Sequence, residues 1–193
     1  MPRVKLFDEN EVLNKAMNLF WKQGYSATSI QDLVSHLGIN RASLYDTYGD
    51  KEKLFFRAFE FYRKTNTEGI TNFFDSETDV KKGFKRLFEM SIDESIKDTD
   101  KKGCFVVNTT TELVPGEEKI YTILEENRKT FEGLFYEYLK KGETAEQFKK
   151  GKDLKSIAAL LFTLYNGLKV VSKVQSNKKE LVNSVNVALT LLD

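Results

Sequence analysis

The side chains best equipped for polar chemistry fall in one short stretch. Arg41, Tyr45 and Lys51 supply a guanidinium, a phenol and an ammonium, and Thr28, Ser29, Asn40, Ser43 and Thr47 add hydroxyl and amide groups nearby. A guanidinium can pair bidentately with a guanine edge and hydroxyls can donate to phosphate oxygens, so the set suits recognition of nucleic acid where a motif presents it, with a solvated surface as the alternative for Arg41. Ala42 and the methyl of Thr47 suit a thymine methyl, whereas Asp46 helps only by accepting from a cytosine amino group or from a neighbouring arginine. Residue types needed for catalysis are scarce. The chain has one histidine, His36, and one cysteine, Cys104. It has no nucleophile elbow, phosphate-binding loop or metal-ligand cluster. Acidic pairs such as Glu117-Glu118 and Glu125-Glu126 read as solvated helix faces. Neither an enzyme, a metal site nor a bound cofactor is expected.

Composition sets the frame for these residues. With 193 residues, 40% of them hydrophobic and 31% charged, the chain can bury a substantial core and is expected to be soluble. Its net charge is only +1, so nucleic-acid binding must rest on a local motif. Residues 1–64 hold 10 Lys/Arg against 8 Asp/Glu, a slight local excess of positive charge. A lone cysteine excludes an intramolecular disulfide and suits a reducing cytoplasm. The N-terminus has no apolar signal-peptide core. Asn166 and Lys169 interrupt the longest apolar stretch, from Ile157 to Val174, so no membrane span is expected. The protein is expected to be cytoplasmic.

With two prolines and glycines between periodic apolar segments, the chain reads as all-α. A first helix from about Asp8 to Gln23 has its apolar stripe on Val12, Ala16, Leu19 and Phe20, and Gly24 caps it. Thr28 and Gln31 have capping-box spacing and start a short second helix buried through Ile30, Leu33, Val34 and Leu37. Gly38 ends that helix, and Asn40 caps a third from Arg41 to about Tyr48. Leu44 anchors the third helix, leaving Arg41, Ala42, Tyr45, Asp46 and Thr47 outward and Asn40 and Ser43 at the margins. Tyr48 is expected to pack between helices, and His36 to be exposed. Two short helices joined by a glycine turn match a helix-turn-helix, although an ordinary helical hairpin has the same spacing.

Three linked segments make the match more specific. Gly24-Tyr25-Ser26-Ala27-Thr28-Ser29-Ile30, Leu37-Gly38-Ile39-Asn40-Arg41-Ala42-Ser43-Leu44-Tyr45 and Tyr48-Gly49-Asp50-Lys51-Glu52-Lys53-Leu54 resemble the head of the tetracycline-repressor (TetR) family. The resemblance covers the first third of the chain. It implies a helix-turn-helix DNA-binding domain over 1–50 and a helical bundle over 51–193 for ligand sensing and dimerisation, with about nine helices in all. It also implies phosphate contacts from Tyr45 and Lys51, a palindromic double-stranded operator, and release by a small-molecule effector. Thr28 and Ser29 at the start of the second helix, and Arg3 and Lys5 before the first, are further candidates for backbone contacts.

In the remainder, helix four is expected from Asp50 to about Phe74 and helix five from about Asp79 to Ile96, with a seventh after Pro115. Their aromatic stripes read as core first. Family pockets lie among such helices, and Phe84, Phe88, Cys104, Phe105, Asn108, Phe131, Phe135 and Tyr165 are the candidate ligand contacts. The β-branched run from Gly103 to Leu113 has strand propensity, but no second strand exists to pair with it, so a short helix is expected. Cys104 reads as a small buried hydrophobe, with thiol-based redox or electrophile sensing as the alternative. The stretch from Leu154 to Val174 is apolar on nearly every side, which predicts burial against another subunit, a homodimer, with burial wholly inside one chain as the alternative. The resemblance implies a two-fold four-helix interface from this helix and a ninth, through Leu161, Leu164, Leu168, Val171, Val185 and Leu189.

Overall fold

The computed structural model describes residues 7–114 and 116–193, so Arg3 and Lys5 lie outside the described residues. Among these, the chain forms α1 (Glu9–Gln23), α2 (Ile30–Leu37), α3 (Arg41–Tyr48), α4 (Lys51–Ser76), α5 (Val80–Lys97), α6 (Phe105–Leu113), α7 (Glu118–Thr144), α8 (Leu154–Val171) and α9 (Lys178–Leu189). A single 3-10 turn follows (Thr190–Leu192), and no strand occurs among the described residues.

Side-chain caps define most of the helix starts. Asp8, Asn40, Asp50, Asp79 and Asp153 each accept from backbone amides of the first turn. The capping box of α2 is formed by Ser29 and Asp32 rather than by Thr28 and Gln31. Thr28 is displaced from that role because its side chain is fully buried and its hydroxyl donates to the Gly24 carbonyl at 2.6 Å. The β-branched segment is helical, as α6. Phe105 and Thr109 plug into the core, while Thr110 and Thr111 hydroxyls donate back to Val106 and Val107 carbonyls one turn earlier. Core anchoring overrides the local strand propensity.

Two apolar cores share α4 as a common beam. The first joins Val12, Phe20, Leu33, Leu44 and Tyr48 of the head to Leu54, Phe55, Ala58 and Phe59 of α4, and to Phe105, Ile120 and Leu124 from α6 and α7. The second takes Ile70 and Phe74 from the far half of α4 and fills with α5, α7, α8 and α9. Head packing therefore runs past residue 50 and reaches the body. At 26 residues, α4 is about 39 Å long, enough to serve both cores.

The second core corrects the proposed dimer face. Leu161, Leu168, Val185 and Leu189 are buried inside their own subunit, where α8 packs on α7 and α9 on α5. Leu164 is half-buried, and Val171 is exposed. The apolar side chains turned outward are instead Leu160, Val170, Val171 and Val174 at the α8 end and Val187 and Leu191 at the C-terminus. Hydropathy alone did not separate these faces, because α8 is apolar on both. By length and composition α8 also meets the threshold for a bilayer span, but one of its faces is core.

Candidate nucleic-acid interface

The turn between α2 and α3 depends on Gly38, which sits at φ 67° and ψ 27°, a left-handed conformation that costs other residues a Cβ clash. Ile39 then turns into the core and Asn40 caps α3, its side-chain oxygen accepting from Ser43 N at 2.8 Å. Leu44 and Tyr48 hold α3 down. Tyr48 packs between helices as expected: its hydroxyl donates to the Glu9 carbonyl and its ring faces the Arg57 guanidinium. His36 is exposed.

The opposite side of α3 is bare. Arg41, Ala42, Tyr45 and Asp46 are exposed, with Asn40 exposed at the N-terminal margin and Ser43 and Thr47 half-buried. The Arg41 guanidinium lies 5.8 Å from the Tyr45 ring centre, which aligns the two side chains along one face. That face can offer a bidentate donor, a phenol, an amide and a methyl group to a duplex groove, and Asp46 is the single anion within it. Ser29 is exposed, but its hydroxyl donates to Asp32 at 2.6 Å. Thr28, assigned to the same surface, is removed from it by burial.

Lys51 is less free than its sequence position implies. It is half-buried, with its ammonium 4.3 Å from the centre of the Tyr25 ring. Burial pulls its pKa down, and Glu112 pushes it back up in part. Glu112 comes from α6, and its carboxylate accepts from Tyr25 N at 3.1 Å and Ser26 N at 2.7 Å. Gly24 makes this approach possible. It has φ 84°, and a Cβ there would stand 2.8 Å from Glu112 Oε2. Sequence spacing carried no signal for this contact, since its partners are more than 80 residues apart.

The body contains a cavity of about 720 Å³, lined by α1 (Asn14, Met17, Trp21), α4 (Tyr62, Ile70), α5 (Leu87, Ser91, Glu94), the loop at Asp98, Lys102 and Gly103, and α8 (Tyr165, Lys169). Of the eight residues assigned to a ligand site, only Tyr165 lines it. Phe84, Phe88, Phe131 and Phe135 are consumed by the second core, and Phe105 by the first. Asn108 is occupied structurally: its amide nitrogen donates to the Lys102 carbonyl, and its oxygen accepts from Lys173. Cys104 is buried, with the Tyr62 hydroxyl donating to its sulfur at 3.8 Å. Burial pushes the Tyr62 phenol up, and the thiol adds to that rise. Periodicity marks aromatic residues but cannot tell core-facing from cavity-facing ones, so it gives no sign that Trp21 lines the cavity.

Comparison with known proteins places this geometry. The family model described as bacterial regulatory proteins, tetR family, matches residues 12–58, and that described as tetracyclin repressor-like, C-terminal domain, matches residues 83–187. The uncharacterized HTH-type transcriptional regulator YezE of Bacillus subtilis (strain 168) is 32% identical over 195 residues, covering all of both chains. The HTH-type transcriptional repressor ComR of Escherichia coli (strain K12) is 26% identical, covering 98% of this chain and 90% of that one. Among solved structures, a cysteine mutant of the TetR family regulator CifR complexed with 26-base-pair operator DNA superposes with a TM-score of 0.87. It is 26% identical and covers 99% of this chain and 100% of its own.

Proposed function

Because the chain belongs to the TetR family of bacterial transcriptional regulators, we propose that it is a dimeric repressor that grips a palindromic operator through α3 and lets go when a small molecule fills the cavity behind α1. The observation that carries the DNA reading is the bare face of α3, with Arg41 and Tyr45 aligned outward over a buried Leu44. The operator complex of the similar CifR supports double-stranded DNA as the partner, and the likeness to ComR supports repression. In this reading Arg41 reads a base edge, Tyr45, Asn40 and Ser43 hold phosphates, and Lys51 reaches a phosphate by leaving the Tyr25 ring. Ala42 and Thr47 meet thymine methyls, Asp46 pairs with a cytosine amino group or a neighbouring arginine, and Ser29 supplies a helix-start amide.

Dimerisation is assigned to the outward side of α8 and α9. Two heads must meet half-sites about 34–36 Å apart or a multiple of it, so a changed head spacing weakens both at once. A ligand that favours the wrong spacing releases DNA by population shift. The test is fluorescence anisotropy on the DNA upstream of the chain's own coding region. Binding that is salt-dependent, sequence-selective and weakened by Arg41→Ala is expected; equal affinity for scrambled DNA would sink the reading.

A second reading, release through modification of Cys104, draws on the polar group packed around the thiol, namely Tyr62 and Lys169. Its burial at 4% exposure favours ordinary packing. Cys104→Ser separates the two: a sensor would keep operator affinity and lose release by electrophiles, whereas a packing residue would leave release unchanged.

A further inference from the structure

The cavity carries chemistry that points to a class of ligand. Two ammoniums line it, those of Lys102 and Lys169. Each rests on an aromatic face, Lys102 at 4.6 Å from the Trp21 ring centre and Lys169 at 4.6 Å from that of Tyr165. The described residues put no carboxylate within ion-pair distance of either. Burial alone would pull the Lys169 ammonium down, yet Tyr165, Cys104 and Glu94 together hold it above its ordinary value, so it stays charged. The cavity's own acids are already engaged, Glu94 with the charge of Lys169 and Asp98 with backbone amides. The Asp98 carboxylate already accepts from Lys102 N at 2.6 Å and Gly103 N at 3.3 Å, and Glu94 is exposed. Apart from these charges, the cavity wall is largely aromatic and aliphatic, and its volume suits a small organic molecule.

We propose that the cavity binds an apolar organic anion, with its acid group against the ammonium of Lys169 and its apolar body against Trp21, Tyr62 and Leu87. This inference rests on reading the cavity as the effector site. It adds a direct route to the head, because Trp21 belongs to α1 and its indole nitrogen donates to the Gly103 carbonyl at 3.1 Å. A ligand wedged beside Trp21 competes with the contacts that tie α1 to the loop before α6.

The chain's single tryptophan is thus a reporter inside the proposed site. The experiment titrates the full-length protein with three probes of similar size: 8-anilinonaphthalene-1-sulfonate as the anion, N-phenyl-1-naphthylamine as its uncharged counterpart, and ethidium as a cation. The sulfonate is expected to quench Trp21 and to bind about tenfold more tightly than the amine, the value of one charge-assisted contact. Lys169→Met should abolish that preference, and Lys169→Arg should keep it. Equal affinity for sulfonate and amine, a preference for ethidium, or sulfonate binding that leaves Trp21 emission unchanged would each overturn the proposal. The wild-type comparison decides even if Lys169→Met folds poorly. Operator binding by the ligand-free protein is a separate measurement, and its failure would count against the repressor reading while leaving these titrations to decide the ligand class.

Discussion

Leu160 and Leu161 are neighbours on α8 with opposite fates, and that contrast gives the sharpest test of the proposed assembly. Leu161 is fully buried in its own subunit, whereas Leu160 leaves 47% of its surface exposed. Burying a whole leucine yields about 2 kcal/mol, so covering the exposed part of Leu160 in a dimer is worth about 1 kcal/mol per subunit and about 2 kcal/mol per dimer. Leu160→Asp removes that term and also forces a carboxylate out of water on each side, at a cost of at least about 1 kcal/mol apiece. The expected loss is about 4 kcal/mol, or roughly a thousandfold in dimer dissociation constant. The fold itself should survive, because the side chain faces solvent in the isolated subunit. Leu161→Ala should do the reverse, costing about 2–5 kcal/mol of folding stability through a core cavity and leaving association intact in the protein that remains folded. Sedimentation equilibrium reads the dimer constant and thermal melting reads the fold. A Leu160→Asp protein that associates like wild type would refute the interface assignment, and so would a Leu161→Ala protein that melts normally but falls to monomers.

Three further outcomes are expected. Lys51→Ala should lower the salt slope of operator binding by about 0.9 without changing sequence preference, as loss of one phosphate contact requires, while Arg41→Ala should cost about 1–3 kcal/mol at one position per half-site; selection from a randomised operator pool separates the two. Glu112→Gln removes a carboxylate that holds two head amides, so amide exchange at Tyr25 and Ser26 should quicken and stability should fall by about 1 kcal/mol; hydrogen exchange read by NMR is the check, and unchanged rates would detach α6 from the head. Gly83→Ala drives a Cβ into the Tyr138 hydroxyl, which donates to the Glu77 and Asp79 carbonyls, so chemical denaturation should show a loss of about 1–3 kcal/mol that a further Tyr138→Phe change partly restores.

The head was legible because its signals are local. Gly24, Gly38 and Asn40 mark helix ends within a few residues of the elements they bound, and Leu44 and Tyr48 announce the buried side of α3 by spacing alone. Where a residue has two local options, sequence reading failed. Thr28 and Ser29 are adjacent hydroxyls, and only the packing of α1 on α2 decides that Thr28 is buried and Ser29 is the cap. The body was legible as helices but not as faces. Phe84 and Phe135 fill the core while Tyr62 and Tyr165 line the cavity. All four are aromatic residues at helical spacing, and only tertiary contacts distinguish them. The same limit hid that Leu161 belongs to the subunit core while Leu160 is exposed. Lys169, which had argued only against a membrane span, turns out to face the cavity.

In the proposed release mechanism, the ties between head and body set how strongly a ligand must act. Trp21 donates to Gly103, Lys22 pairs with Asp100 at 3.0 Å, and Glu112 holds the amides of Tyr25 and Ser26. Taking about 1 kcal/mol for each of the three backbone-anchored bonds and about 0.5 kcal/mol for the exposed ion pair, these polar ties contribute about 3–4 kcal/mol beyond the core that head and body share. A head that swings free must lose these contacts, which by themselves disfavour the loosened arrangement by a factor of several hundred. To make it dominant, a ligand must prefer that arrangement by more than the same factor. A molecule that binds both arrangements alike shifts nothing. An effective ligand therefore has to draw its advantage from the ties themselves, and the Trp21–Gly103 bond at the cavity wall is the one within its reach. With its acid group held by Lys169, the apolar body of such a ligand lies beside Trp21 and competes with the Trp21–Gly103 bond. Loss of that bond is where the proposed ligand would gain its preference for the loosened arrangement.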